Sequence, residues 1–257
     1  MLGIGLPVGA AGLDRAIDLD AAAYASAMTV APSASRVALF DAFLRAIKAG
    51  GLWTRLDVLY LLAAHDEQAG RVNLIAPGSH TCTAVNSPSF VADRGFAGDG
   101  STSYLSTGLN PSLGGTRFAL NDAVLFVWSL TDLNASAAEI GTRTSTRLLA
   151  RSSGSLAARA NTSTTTTVAV ADSLGLVGWS RRSAAGHDFF RGGTVVASPT
   201  QASGAISNDA IRIGAAGSTY SARRLAVAGA GAGLDSSQIA ALASACEAYL
   251  DAVGALP

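Results

Sequence analysis

Charge is scarce in this chain. Lys, Arg, Asp and Glu make up 14% of its 257 residues, against about 25% in an average soluble protein. Basic and acidic residues balance at 18 each, and the basic ones are scattered. The sequence therefore lacks the basic stripe that grips nucleic acid. Its only arginine doublets, Arg181–Arg182 and Arg223–Arg224, are expected as solvated strand ends. Aromatic residues contribute just 6%, so much of any core must be small side chains with backbones close together. Cysteine is limited to Cys82 and Cys246, too few for a disulfide framework and without C-x-x-C spacing. Two buried thiols are expected rather than a bridge, which fits synthesis in a reducing cytoplasm. No run reaches the ~18 consecutive apolar residues of a membrane span. Met1–Gly12 is apolar but lacks the basic start of a secretory signal. Neither membrane insertion nor export is expected.

Catalytic residue types are equally sparse. The glutamates are Glu67, Glu139 and Glu247, and the histidines are His65, His80 and His187. A glycan-cleaving sandwich needs two carboxylates about 5–9.5 Å apart, and no clustered Glu/Asp strand motif supplies them. No G-x-S-x-G elbow accompanies a histidine, and the histidines lack zinc-ligand spacing. No enzyme is expected.

Hydrophobic residues, by contrast, make up 49% of the chain, with Ala, Gly, Ser and Thr filling the rest. A surface so poor in charge limits the solubility of a free monomer, so coverage by other chains is expected. Leu2-Gly3-Ile4-Gly5-Leu6-Pro7-Val8-Gly9 alternates apolar residues with Gly and Pro and can form neither a stable helix nor a hairpin by itself. Residues 1–19 are therefore an extended arm, with Leu2, Ile4, Leu6 and Val8 as anchors buried by a partner.

Residues 20–76 read as helical. Ser35 is expected to cap a helix carrying Phe40, Phe43, Leu44 and Ile47 at i, i+3, i+4 and i+7, and Gly50–Gly51 ends it. A second stripe, Leu52, Leu56, Leu59, Tyr60 and Ala63, completes a helical hairpin.

From residue 77 to 257 the period is two. Ten short strands, separated by Gly-, Ser- and Asn-rich turns, indicate a mainly β sandwich. They are Phe90–Ala92, Tyr104–Thr107, Ala123–Leu130, Arg147–Arg151, Thr166–Ala171, Gly175–Ser180, Phe189–Arg191, Thr194–Ala197, Ile211–Ile213 and Leu225–Ala228. In Val124-Leu125-Phe126-Val127-Trp128 both faces are apolar, so this strand must be covered on both sides, by the helices or by a neighbouring subunit. A last helix starts at Asp235 or Ser236 and carries Ile239, Leu242, Ala243, Cys246 and Leu250 on one face.

Gly95-Phe96-Ala97-Gly98-Asp99-Gly100-Ser101-Thr102-Ser103-Tyr104-Leu105 resembles the opening of the laminin-G/concanavalin-like jelly-roll sandwich of many phage structural proteins. Gly178-Trp179-Ser180-Arg181, the Phe189-Phe190-Arg191-Gly192-Gly193 hairpin, Ile211-Arg212-Ile213-Gly214 and Gly233-Leu234-Asp235-Ser236 are similar to its later parts. Upstream, Asp18-Leu19-Asp20-Ala21-Ala22-Ala23-Tyr24 with the later Gly-Leu-Trp resembles the start of uncharacterised phage proteins of this layout. The resemblance spans most of the chain through motifs that are individually loose. It implies a non-enzymatic virion component, a fibre, spike or decoration protein. Such a chain would assemble in the host cytoplasm, with other virion proteins and copies of itself as partners. The alternative is a module that binds a host-surface glycan, for which Tyr104, Trp179 and Tyr220 are the aromatic platforms, each equally readable as core. Laminin-G-like domains often hold one calcium ion. Asp93, Asp99 and Asp209 are its candidate donors here, with turn capping as the plainer reading.

Overall fold

The structure, a computed structural model, describes residues 16–256. The anchors Leu2, Ile4, Leu6 and Val8 lie outside the described residues.

Two helices open the fold, α1 (Leu19–Ser26) and α2 (Ala34–Ala49). The cap of α2 is Ser33 and not Ser35. Ser33 has extended backbone and accepts the Arg36 N–H at 3.2 Å, while its carbonyl already receives Val37 N–H. Ser35 falls inside the first turn and hydrogen-bonds the Ser33 hydroxyl. Phe40, Phe43, Leu44 and Ile47 are buried on one face, as their spacing requires.

The second arm of the expected hairpin is a strand, β1 (Leu56–Leu61). Helix over residues 20–76 thus ends at Ala49, save for one 3-10 turn at Ala69–Arg71, and α1 and α2 are the N-terminal helical pair. The physical reason lies in burial on both faces. Leu59 and Leu61 point to one core while Val58 and Tyr60 point to another. A short run that is apolar throughout satisfies helical and buried-strand patterns alike.

The remaining strands are β2 (Thr83–Val85), β3 (Ser89–Val91), β4 (Gly95–Ala97), β5 (Tyr104–Ser106), β6 (Ala123–Ser129), β7 (Ile140–Gly141), β8 (Thr146–Ser152) and β9 (Ser155–Ala160). They continue as β10 (Thr166–Ala169), β11 (Gly175–Arg181), β12 (Asp188–Arg191), β13 (Thr194–Ala197), β14 (Arg212–Ile213), β15 (Ala215–Ala216), β16 (Thr219–Tyr220) and β17 (Arg224–Gly231). Helix α3 (Ser236–Ala252) follows, held by a capping box between Asp235 and Gln238.

Apart from β15 and β16, which pair only with each other, these strands form a sandwich of two antiparallel sheets. One runs β13-β12-β11-β6-β17-β4-β3, with β1 added beside β17; the other runs β10-β9-β8-β7-β14-β5-β2. β17 pairs with β6 along one edge, and β4 and β1 share its other edge end to end.

Two cores result. Val58, Tyr60, Leu125, Val127, Val177 and Trp179 fill the space between the sheets. Phe126, Trp128, Phe190, Phe43, Leu44 and Leu250 fill a second layer between the first sheet and the helices. β6 alternates strictly between them, so its double-sided apolarity is met by α2 and α3 within the chain. Full burial of such side chains is worth ~1.5–3 kcal/mol each. The shortage of aromatics is met by close backbone approach. Phe190, Gly178, Phe126 and Gly229 are successive cross-strand partners, so each ring lies over a neighbouring glycine. Cys82 lies in the inter-sheet core and Cys246 in the helical layer, both buried free thiols. Burial pushes the Cys82 thiol up to about 12.

Candidate functional site

Two of the three expected aromatic platforms meet. Leu105, Ile211 and Ile213 point into the inter-sheet core, which turns Tyr104, Ser106 and Arg212 to the outer face of the second sheet. Arg212 pairs with Ser106, so Tyr104 is its diagonal neighbour on that face. The guanidinium lies 4.9 Å from the Tyr104 ring centre, within cation–π range. Tyr220 reaches the same place through the β15–β16 hairpin, where Ala215 pairs with Tyr220 and Gly217 takes the positive φ of 61° that the two-residue turn needs. The Tyr104 and Tyr220 rings stand 6.3 Å apart and tilted, both half-buried. Arg212 also bonds the Gly217 carbonyl at 3.3 Å and approaches Asp209 at 3.5 Å, fixing the hairpin against the sheet. The patch presents two phenol faces, two hydroxyls and one compensated cation. Arg212 is not singled out as a site residue by the sequence, although a polar residue between Ile211 and Ile213 marks an outward strand position.

Trp179 is not part of it. The residue is fully buried, edge-on to Phe118 at 6.2 Å, and its indole N–H has no hydrogen-bond partner. Its neighbours across the strands are Leu125 and Phe189, which also face the inter-sheet core. Alternation along β11 leaves it no route to the surface.

The candidate calcium donors are dispersed. Asp93 pairs with Arg36 at 2.7 Å, and Asp209 is the partner of Arg212. Asp99 accepts the N–H groups of Ser101, Thr102 and Ser103 and the Thr102 hydroxyl. Those hydrogen bonds, Thr102 N–H foremost, hold its carboxyl far below the usual carboxylate range. Among the described residues no group of three His, Cys, Asp or Glu could hold a metal ion.

Two charged side chains expected at solvated strand ends are buried instead. The Arg181 guanidinium, with no exposure, donates to the carbonyls of Ala160, Ser183, Ala184, Gly186 and Gln201. Arg223 forms an ion pair with Glu139, and both side chains are cut off from water. Arg223 further donates to the carbonyls of Leu133 and Arg151 and to the Ser173 hydroxyl, while Glu139 receives Ala150 N–H and the Ser221 hydroxyl. Desolvation raises the Glu139 carboxyl against the lowering effect of these partners. The remaining glutamates do not join it: Glu67 lies 3.9 Å from Arg71, and Glu247 is on α3. His187 is 4% exposed, with Nε2 at 2.9 Å from the Thr166 hydroxyl and Nδ1 without a partner.

No family model and no curated protein matches the chain. Its backbone is similar to solved structures. One is a sialidase of Trypanosoma rangeli, at TM-score 0.52 and 13% identity over 81% of this chain and 39% of that one. Another is the ligand-binding domain of botulinum neurotoxin serotype D in complex with N-acetylneuraminic acid, at TM-score 0.52 and 10% identity over 77% of this chain and 52% of that one. At such identities the likeness is one of fold, and the chain spans about half or less of the length of these structures.

Proposed function

We propose that this chain is a non-enzymatic structural component of a bacteriophage particle, held by its N-terminal region and displaying the sandwich. The observation that supports the reading is the arm's own sequence, in which Leu2, Ile4, Leu6 and Val8 alternate with Gly and Pro and have no side chains of their own segment to pack between. Among the described residues, both main cores are built between Ala21 and Ala255, and α2 and α3 cover the first sheet. In this reading Leu2, Ile4, Leu6 and Val8 are buried by a neighbouring virion protein. The carboxylates support a non-catalytic role, because Glu139 is buried and committed to its ion pair with Arg223. Deleting Leu2–Gly9 should leave the melting temperature unchanged and abolish incorporation into particles. Recovery of the shortened chain in purified particles at normal copy number overturns the reading.

The Tyr104–Tyr220–Arg212 patch favours a second reading, compatible with the first, in which the displayed sandwich binds a host-surface glycan. Paired phenol faces are suited to sugar C–H faces, and the toxin domain of similar fold holds N-acetylneuraminic acid. Loss of glycan-array binding in Tyr220→Ala, at unchanged melting temperature, is the expected result. Equal binding by variant and parent excludes the patch.

A further inference from the structure

A cleft of about 450 Å³ opens between the loop after β11 and the segment after β13, away from the tyrosine patch in sequence and composition. We infer that it is a binding site for a neutral saccharide unit, read through its hydroxyl groups. Its volume falls within the ~300–1,000 Å³ usual for small-molecule sites. Its lining departs from the usual apolar one: Arg182, Ser183, Asp188, Ser198 and Thr200 bring a guanidinium, a carboxylate and three hydroxyls to one concavity, and the lining includes no Phe, Tyr or Trp.

That donor and acceptor set selects among ligands. Asp188 and Arg182 are 3.7 Å apart, and the Ser198 hydroxyl donates to Asp188 at 2.7 Å. The hydroxyls of Ser183 and Thr200 are exposed, and no hydrogen bond engages them. An anion such as phosphate would meet the Asp188 carboxylate beside the single guanidinium. A metal ion would find one carboxylate where it needs several oxygens. A flat apolar ligand would strand the hydroxyls without partners. Vicinal alcohols instead can donate to Asp188 while accepting from Arg182, both charge-assisted bonds, and can exchange further bonds with Ser183 and Thr200.

The walls are held in advance. Buried Arg181 ties the carbonyls of Ser183, Ala184 and Gly186 on one side to that of Gln201 on the other. Ser203 N–H reaches the Ala184 carbonyl at 2.9 Å, and Gly186 bridges Thr200. A ligand therefore meets an ordered cleft and is spared the entropy of ordering it. Cleavage is not part of the inference. Asp188 has no second carboxylate in the cleft, and burial near Arg181 holds His187 down at about 4, so its imidazole is neutral at pH 7.

The test is amide-resonance titration of the whole chain with galactose, glucose, N-acetylglucosamine and N-acetylneuraminic acid, with inorganic phosphate as a control. Each is added to ~50 mM, well above the millimolar constants expected of single sugars. At least one neutral sugar should shift the amides of Arg182, Ser183, Asp188 and Thr200. Arg182→Ala, at an exposed side chain, and Asp188→Asn should each weaken that binding roughly tenfold, the equivalent of one charge-assisted hydrogen bond. Tyr220→Ala should leave it unchanged. Absence of cleft shifts with every sugar overturns the inference, as does stronger binding of phosphate. Sugar binding that vanishes in Tyr220→Ala and survives Arg182→Ala also overturns it, and assigns recognition to the tyrosine patch.

Discussion

Glu139 and Arg223 meet where neither side chain touches water. Glu139 immediately precedes β7 of one sheet and Arg223 immediately precedes β17 of the other, so their ion pair clasps the two sheets at one end of the sandwich. Removing one partner from such a pair leaves a buried charge uncompensated and costs about 3–5 kcal/mol. Glu139→Gln should therefore lower the denaturant midpoint sharply. Glu139→Leu combined with Arg223→Met should lose much less than the sum of the two single changes. Additive losses in that cycle would show that the two residues act independently.

The packing of phenylalanine over glycine gives a second expectation. A Cβ on Gly229 would stand 2.3 Å from Phe126 Cζ. Gly229→Ala should destabilise by about 1–3 kcal/mol through overpacking. The shorter side chain in Phe126→Leu should recover part of that loss when combined with it. Calorimetry on the three variants decides the matter, and a neutral Gly229→Ala would contradict the close approach.

His187 makes stability depend on pH. Burial first, then the Arg181 charge, lowers its pKa from 6.5 to about 4, against a raising effect from Asp188. The unfolded chain therefore binds more protons than the folded one between these values. The contribution of His187 is complete above about pH 6.5 and is lost as pH falls toward 4, by on the order of 3 kcal/mol. Glu139, displaced upward, acts with the opposite sign, so the comparison is between parent and His187→Gln at each pH. The parent should lose more stability than the variant between pH 7 and pH 4.5. Parallel pH profiles would rule out the neutral buried imidazole.

Arg181 has carbonyl oxygens for partners instead of a carboxylate, and five of them converge on it. Lysine keeps the charge but offers fewer donors and no planar fork. Arg181→Lys should cost about 2–3 kcal/mol through carbonyls left unsatisfied. Hydrogen exchange should accelerate at Ser203, whose N–H depends on the tethered Ala184 carbonyl. Unchanged exchange there would mean that the loop holds its shape without the guanidinium.

The sandwich was legible where the polar–apolar alternation was strong or a turn residue intervened. All ten expected strands are present, within three residues at either end. The strands without such signals escaped notice. β7, β15 and β16 are two residues long, β2 and β4 are three, and β9 is half alanine. β1 was hidden because both of its faces are buried. β6, apolar on both faces as well, reads as a strand covered on both sides, and it is one. Tyr104 and Tyr220 could be chosen from residue type, but their meeting depends on a hairpin whose register no local pattern shows. Arg181 and Arg223 were misjudged because burial of an arginine is decided by carbonyls and a carboxylate from distant segments.

The shared edge of β17 sets the order in which this polypeptide can mature on the ribosome. β1 can find its partner only after residue 231 is made, and Arg55 and Tyr249 then bond carbonyls 178 and 186 positions away. Until that moment α1 and α2 can pack on each other through Tyr24 and Phe40, but α2 lacks α3 and β1 lacks its partner strand. Contacts of such long sequence separation slow folding and prolong exposure of sticky surface. Emergence of β17 and α3 is therefore the step that gives the N-terminal elements their native partners.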